Sequence, residues 1–215
     1  MEIKKIKLWY KETIVNTAMK ALEEKNYAVS SVPTKSDALK LVMGMIPEGS
    51  TVGTGGSMTV SEVGLLDAIE IGNFKFYNQY RTGLSEDKAN EMRTQGLLAD
   101  YYITGTNAIT ITGELINLDG FGNRVAAITY GPKKVIIIVG INKFVNSIEE
   151  GIHRVRHYAA VLNSKRFNRL LPCTETGKCN DCHATDRICN HLLVTYRQHK
   201  KGRVSIVIVD EELGF

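Results

Sequence analysis

Four thiols sit in one short stretch, "PCTETGKCNDCHATDRICN" at residues 172–190, and the chain has no other cysteine. Cys173, Cys179, Cys182 and Cys189 follow the spacing C-x5-C-x2-C-x6-C. Thiolates bind soft and borderline metals. Four of them close a tetrahedral zinc site or hold a cube-shaped iron–sulfur cluster. Cys179 and Cys182 form the short chelate that either centre uses. The outer gaps are wider than those of a compact zinc knuckle and match neither common ferredoxin spacing. A loop with such gaps still wraps a cluster, eased by Gly177, so an iron–sulfur cluster is the first expectation. Zinc is the alternative, and free thiols or disulfides stay open, with three connectivities for four cysteines. Lys178 and Arg187 are expected to lower the thiol pKa values and to balance their charge.

A second candidate is the glycine loop "TVGTGGSMTVSEVG", which begins at Thr51 and places Gly53, Thr54, Gly55 and Gly56 between a strand and a helix. Such a loop turns backbone N–H groups inward and hands over to a helix start, which favours anions. Ser57 and Thr59 add hydroxyl groups. A phosphate or the carboxylate of a small acid is the natural ligand, and a tight turn with glycines for steric reasons is the plain reading. The GK[ST] ending of a P-loop is absent, and the stretch is not a G-x-G-x-x-G fingerprint.

A third stretch, residues 105–140, concentrates polar groups ahead of an apolar run. Glu114 suits a base or a carboxylate nucleophile. Arg124 suits a two-pronged clamp on a carboxylate or phosphate. Asn107 and Asn123 suit orientation of a substrate or of a developing oxyanion, and Asp119 sits among them. Taken singly, such residues more often build turns. Lys143 and Asn142, just past "VIIIVG", belong at the carboxyl end of a strand, where open parallel sheets bind ligands.

The elements that must position these groups alternate between helix and strand. Residues 2–26 have apolar positions at helical spacing, with Trp9 and Tyr10 expected to pack. "YAVSSV", "STVGT", "KFYN", "YYITG", "KKVIIIVG" and "RVSIVIVD" read as strands. Thr34 with Asp37, and Ser85, read as helix caps. Thr59 and Glu62 have capping-box spacing for one helix through "TVSEVGLLDAIE". "ELINLDGFGNRVAAITY" reads as two short arms around a tight loop. A long helix is expected from about Ser147 to Leu162, and "RQHKKGR" at 197–203 as a solvated turn. The five consecutive Val and Ile residues at 135–139 are too apolar for a one-sided sheet. The expectation is an α/β chain, a single domain over 1–215 with a mainly parallel open sheet flanked by helices.

The central stretch "TGTNAITITGELINLDGFGNRVAAITYGPKKVIIIVGINKFV" resembles the core of the LUD-domain family, the lactate-utilization C-type proteins. "GTGGSMTVSEVG" resembles that family's glycine motif, and "GKCNDCHATDRICN" the cysteine-bearing tail of one branch. The resemblance runs from about residue 10 to Phe215. It implies a fold similar to ribose-5-phosphate isomerase and the coenzyme A transferases, and a link to oxidation of lactate or related acids. The positions it implicates are Gly53, Gly55, Gly56, Ser57, Asn107, Glu114, Asp119, Asn123 and Arg124.

Composition narrows the function further. The net charge of +4 is too small to argue for nucleic acid, and no recognised nucleic-acid module is present. It is unevenly spread: residues 151–203 hold eleven Lys and Arg against three Asp and Glu, a local +8, leaving about −4 elsewhere. All five histidines fall in that window, which reads as a solvated basic region or a basic collar around something anionic. No apolar run approaches the roughly 20 residues that cross a bilayer, and residues 1–15 lack the apolar centre of a secretory signal. A cytoplasmic protein is expected, with reduced thiols. The leading functional expectation is an enzyme or subunit oxidising a small 2-hydroxy acid with an iron–sulfur cluster, with redox-protein partners and self-association left open. Acyl transfer to and from coenzyme A through Glu114 is the alternative. A metabolite-binding or redox-sensing protein with a structural metal clasp is the third reading.

Overall fold

The run at 135–139 is buried on both sides. Ile136 and Ile138 face one core, while Val135, Ile137 and Val139 face the other. Side chains alternate across a strand, so a strand with helices on both faces must be apolar at every position. This is the strand at the centre of a computed structural model that describes residues 2–215.

Six parallel strands form the main sheet: β1 (Ala28–Val32), β2 (Thr51–Thr54), β3 (Lys75–Tyr77), β4 (Tyr101–Gly105), β7 (Lys134–Gly140) and β10 (Val204–Val209), in the order β1-β10-β7-β4-β2-β3. A second sheet of four strands was not anticipated. It holds β5 (Ala108–Thr110), β6 (Leu115–Asp119), β8 (Phe144–Val145) and β9 (His191–Thr195), in the order β8-β5-β6-β9. Its strands are only two to five residues long and their alternation is too brief to read.

Helices α1 (Ile3–Glu24), α2 (Lys35–Met45), α3 (Met58–Val63), α4 (Leu65–Ile71), α5 (Glu86–Leu97) and α6 (Asn123–Thr129) flank the main sheet. One face takes Ala38 and Val42 of α2, Val60 of α3 and Ile69 of α4. The other takes Leu22 of α1 and Ala127 and Ile128 of α6. After β8 come α7 (Ile148–Arg154), a π-helical turn (Val155–Ala159) and α8 (Ala160–Arg166) as one run, then the short α9 (Pro172–Thr176). Val155 packs with Ala108, Ile116 and Val145 in a small core under the second sheet. No helix among the described residues is long and apolar enough to cross a membrane.

Local chemistry explains most boundaries. The side chains of Thr34, Ser85 and Ser147 accept the backbone N–H three residues on, as N-caps do. Four expectations are corrected. Ser57, not Thr59, caps α3, accepting from Val60 N. Gly64, at φ +83°, splits the expected single helix into α3 and α4. The second arm of the DGFGN region is not a strand but α6, because Gly122 at φ +89° turns the chain into a helix. Trp9 and Tyr10 do not pack: they are 63% and 58% exposed.

Candidate functional site

β2, β4 and β7 are adjacent and parallel, so their carboxyl ends lie side by side. They deliver Gly55–Ser57, Thr106–Asn107 and Ile141–Lys143 to one edge of the sheet. A recess of about 20 Å³ opens there, lined by Gly56, Ser57, Gly105, Asn107, Arg124 and Lys143 among others. It shares Gly56, Asn107, Arg124 and Asn163 with a wider cavity of about 300 Å³. Tyr80, Asp119, Phe121 and Asn123 line that cavity, with three further arginines, Arg93, Arg166 and Arg169.

The glycines serve close approach. A Cβ at Gly53 would stand 2.7 Å from Gly96 Cα, one at Gly55 2.8 Å from Arg124 Cγ, and one at Gly56 2.3 Å from Tyr80 Oη. The steric reading of this loop is therefore correct for Gly53 and Gly55, which back onto structure rather than onto open space. The Gly55 amide bonds Ile103 O at 3.1 Å. Among the described residues, no acceptor meets the Gly56 or Ser57 amide. Thr54 is turned inward, its hydroxyl donating to Gly55 O and Ile103 O.

Arg124 is buried, and all five of its N–H donors face the chain itself. Nη1 meets Asn117 Oδ1 (2.6 Å) and Gly105 O (3.4 Å), Nη2 meets Asn107 Oδ1 (2.8 Å) and Leu118 O (2.8 Å), and Nε meets Asp119 Oδ1 (3.3 Å). A guanidinium has five N–H donors, so none remains for a two-pronged clamp on a ligand. That expectation is corrected: Arg124 organises the wall. Asp119 both pairs with it and accepts from the Arg124 and Val125 amides at the start of α6. Asn107 Oδ1 also accepts from Leu118 N at 2.9 Å. Two donors thus fix the amide's orientation, and among the described residues Asn107 Nδ2 has no acceptor. Its N–H groups are left for a ligand in the recess. Asn123 contributes to the wider cavity only.

Lys143 is 4% exposed and its Nζ donates to Thr59 Oγ1 at 2.7 Å. Thr59 in turn donates to Leu213 O, so Thr59 holds the lysine and does not face the recess. Burial, followed by the nearby Arg154 and Arg124 cations, pulls Lys143 down to about 7, against the opposing pull of Glu62. Arg154, at the end of α7, donates to Asn107 O (2.6 Å) and Asn142 O (3.0 Å). One guanidinium therefore ties the loop bearing Asn107 to the turn bearing Lys143.

Glu114 is separated from these groups. It lies on the turn between β5 and β6, at the far end of β5 from Asn107, and lines neither hollow. Its carboxylate pairs with Lys25 and accepts from the Thr110 and Thr112 hydroxyls. Burial works to raise this carboxyl, but those three hydrogen bonds outweigh it and hold it down at about 2. A base or nucleophile needs access to substrate; Glu114 instead fastens the end of α1 to the β5–β6 turn.

The thiols border the wider cavity without lining it. Ile188, beside Cys189, forms part of its wall and packs against Gly120. Asn190 bonds Asp119 O through its amide (2.8 Å) and Gly120 O through Nδ2 (3.2 Å). Arg187 crosses the loop, donating to Cys182 O and Cys189 O at 2.5 and 3.0 Å. Burial pushes the Cys173 thiol up. Cys182 and Cys189 push the same way, against a hydrogen bond with Ser164. That direction is opposite to the expected lowering. The donors suit zinc or an iron–sulfur cluster in kind, but among the described residues no three His, Cys, Asp or Glu gather as a metal-holding group.

Sequence reasoning did not single out Arg154, Arg166 or Arg169, although all lie in the basic window. Nothing in the sequence marked Tyr80 or Arg93.

Comparisons with known proteins agree with this geometry at the level of fold. The LUD domain pattern matches residues 15–209. The crystal structure of a DUF162 family protein from Deinococcus radiodurans is similar at 16% identity and a TM-score of 0.50, over 93% of this chain and 97% of that one. eIF2B delta from Chaetomium thermophilum has a TM-score of 0.37 at 18% identity, over 66% of this chain and 57% of that one. A D-ribose-5-phosphate isomerase in complex with phospho-erythronic acid has 0.34 at 20%, over 53% and 54%. No curated protein matches the sequence. With the domain pattern covering nearly the whole length, the chain belongs to the LUD-domain family.

Proposed function

We propose that this LUD-domain protein binds a small carboxylate, a 2-hydroxy or 2-oxo acid, in a role like lactate utilization. One observation carries the reading. The Gly56 and Ser57 amides, Asn107 Nδ2 and Lys143 Nζ are donors around a single recess, with Thr59 Oγ1 their one acceptor from the chain. Donors fixed in advance around a narrow recess favour an anion, since they need no reorganisation to receive it. The wider cavity accommodates the rest of the molecule; its lining carries Arg93, Arg124, Arg166 and Arg169 against Glu86 and Asp119, a surplus of positive charge.

Oxidation of a 2-hydroxy acid is the reaction this binding would serve, with the protein as an enzyme or as a subunit beside a redox partner. Cys173, Cys179, Cys182 and Cys189 are proposed as ligands of an iron–sulfur cluster, or of zinc, on the chemistry of the donors alone. A cluster would supply electron transfer, and the residues of the recess would bind and orient the acid. Acyl transfer through Glu114 finds no support, because the carboxylate is fastened to Lys25 away from the recess.

Titration calorimetry with lactate, pyruvate and inorganic phosphate tests the binding. A carboxylate that binds wild type and loses affinity in Asn107→Ala is expected; phosphate alone binding, or nothing binding, would sink the reading. Anaerobic purification with iron, sulfide and zinc analysis tests the thiols separately.

A further inference from the structure

We propose that Lys143 is a carbonyl-reactive amine: in the recess at the ends of β2, β4 and β7, its Nζ adds to the keto carbon of a small 2-oxo acid and forms an imine. This rests on the small-carboxylate reading of the same recess and goes beyond it, from binding to covalent chemistry.

The geometry has three parts. First, Lys143 is buried at 4% exposure and its Nζ has one partner, the neutral Thr59 hydroxyl at 2.7 Å. Among the described residues no carboxylate pairs with it. Nearly every buried lysine that stays charged has such a partner; this one has none. Second, Lys143 lines the recess. Third, the amides of Gly56 and Ser57 and Asn107 Nδ2 border the same recess, so a carboxylate held by them presents its adjacent keto carbon to the amine. The recess of about 20 Å³ holds about one water, so only the reacting end enters it. The side chain of the acid extends into the cavity of about 300 Å³ that shares Gly56, Asn107 and Arg124.

The charged groups that face Nζ support the neutral form. Arg154 from α7 and Arg124 from α6 oppose a third cation, and only Glu62 from α3 favours one. A neutral amine is the nucleophile in imine formation, and desolvation beside other cations is how proteins obtain one near neutral pH. An exposed lysine, with an ordinary value near 10.4, is neutral at only about one part in 2,500 at pH 7.

The step balances without a further reagent. The Nζ lone pair forms the C–N bond as the carbonyl π pair moves to oxygen, which takes up a proton. The nitrogen loses two protons over the sequence, and the oxygen leaves as water. The net change is amine plus ketone to imine plus water, with no oxidation or reduction.

Intact protein is incubated with pyruvate and cyanoborohydride at pH 7, and the reduced adduct is located by peptide mapping. The expected result is one dominant adduct on the peptide containing Lys143, at least about tenfold over any other lysine, given the difference in neutral fraction. Labelling should fall as pH drops below 7 and should be lost in Lys143→Met. The map of the unaltered chain decides the matter even if that variant folds poorly. Labelling spread evenly over exposed lysines, or none at Lys143, overturns the inference. Lactate, which has no carbonyl, separates the two levels: lactate binding without a pyruvate adduct leaves the carboxylate site standing and removes the imine. Binding of neither acid removes the carboxylate reading itself.

Discussion

Glu114→Gln removes a carboxylate that is buried at 8% exposure and bonded to Lys25, Thr110 and Thr112. The carboxyl is held at about 2, against an ordinary value of 4.5. A difference of about 2.5 units at 1.36 kcal/mol each is about 3 kcal/mol of stability. Lys25 is one-quarter exposed on its side chain, and solvent there reduces the figure to about 2–3 kcal/mol. Because the folded value lies below the unfolded one, this stabilisation is complete above about pH 4.5 and drains away as pH falls toward 2. Thermal melts at pH 7 should show the variant lower by about 5–10 °C, at about 2–4 °C per kcal/mol for a chain of this size. The gap should narrow as the pH is taken from about 4.5 down to 2, because the unfolded carboxyl protonates first and the folded one keeps its charge until about 2. Carboxylate binding should be unchanged at pH 7, since Glu114 faces Lys25 and not the recess. A variant that melts with wild type, or one that melts normally but loses binding, would refute this account of Glu114.

Other outcomes follow from the same contacts. Gly56→Ala puts a methyl 2.3 Å from Tyr80 Oη; the tyrosine must move, ligand affinity should fall about tenfold or more with little change in melting temperature, and adding Tyr80→Phe should restore part of it. Arg124→Lys keeps the charge but cannot serve five acceptors, so it should cost about 3 kcal/mol or more in denaturant unfolding. Arg154→Gln releases the carbonyls of Asn107 and Asn142 and removes a cation near Lys143. The pH at which pyruvate labels Lys143 should therefore move upward in that variant. Anaerobically purified protein should contain iron and sulfide if the four thiols hold a cluster. Zinc alone would make the loop a clasp.

What the sequence disclosed depended on how local the cause was. β7 and β10 are legible because burial on both faces leaves the runs Val135–Val139 and Ile206–Val209 apolar, and the Thr34 and Ser85 caps because a cap acts over three residues. The second sheet was hidden: β9 pairs with β6 across more than seventy residues, from His191 to Asp119, and neither strand alternates long enough to stand out. The polar cluster was found in the right region but its division of labour was not. Arg124 looks like a ligand clamp until its five acceptors are counted, and four of them come from residues 105–118, brought round by folding. Glu114 is seven residues from Asn107 in sequence, yet β5 carries the two to opposite ends. Lys143 was placed correctly at a strand end; that it lacks a carboxylate partner is a property of the packed interior and leaves no mark in the sequence.

The stretch Ile188–Asn190 has a double membership. Ile188 is wall to the cavity, Cys189 is one of the thiols, and Asn190 is bonded to the Asp119–Gly120 backbone that also borders the cavity. Three consecutive residues cannot change shape for one purpose alone. If loading or oxidising the sulfurs moves Cys189, the wall at Ile188 moves with it, and by reciprocity an occupant that prefers one wall position would bias the state of the sulfurs by the same free energy.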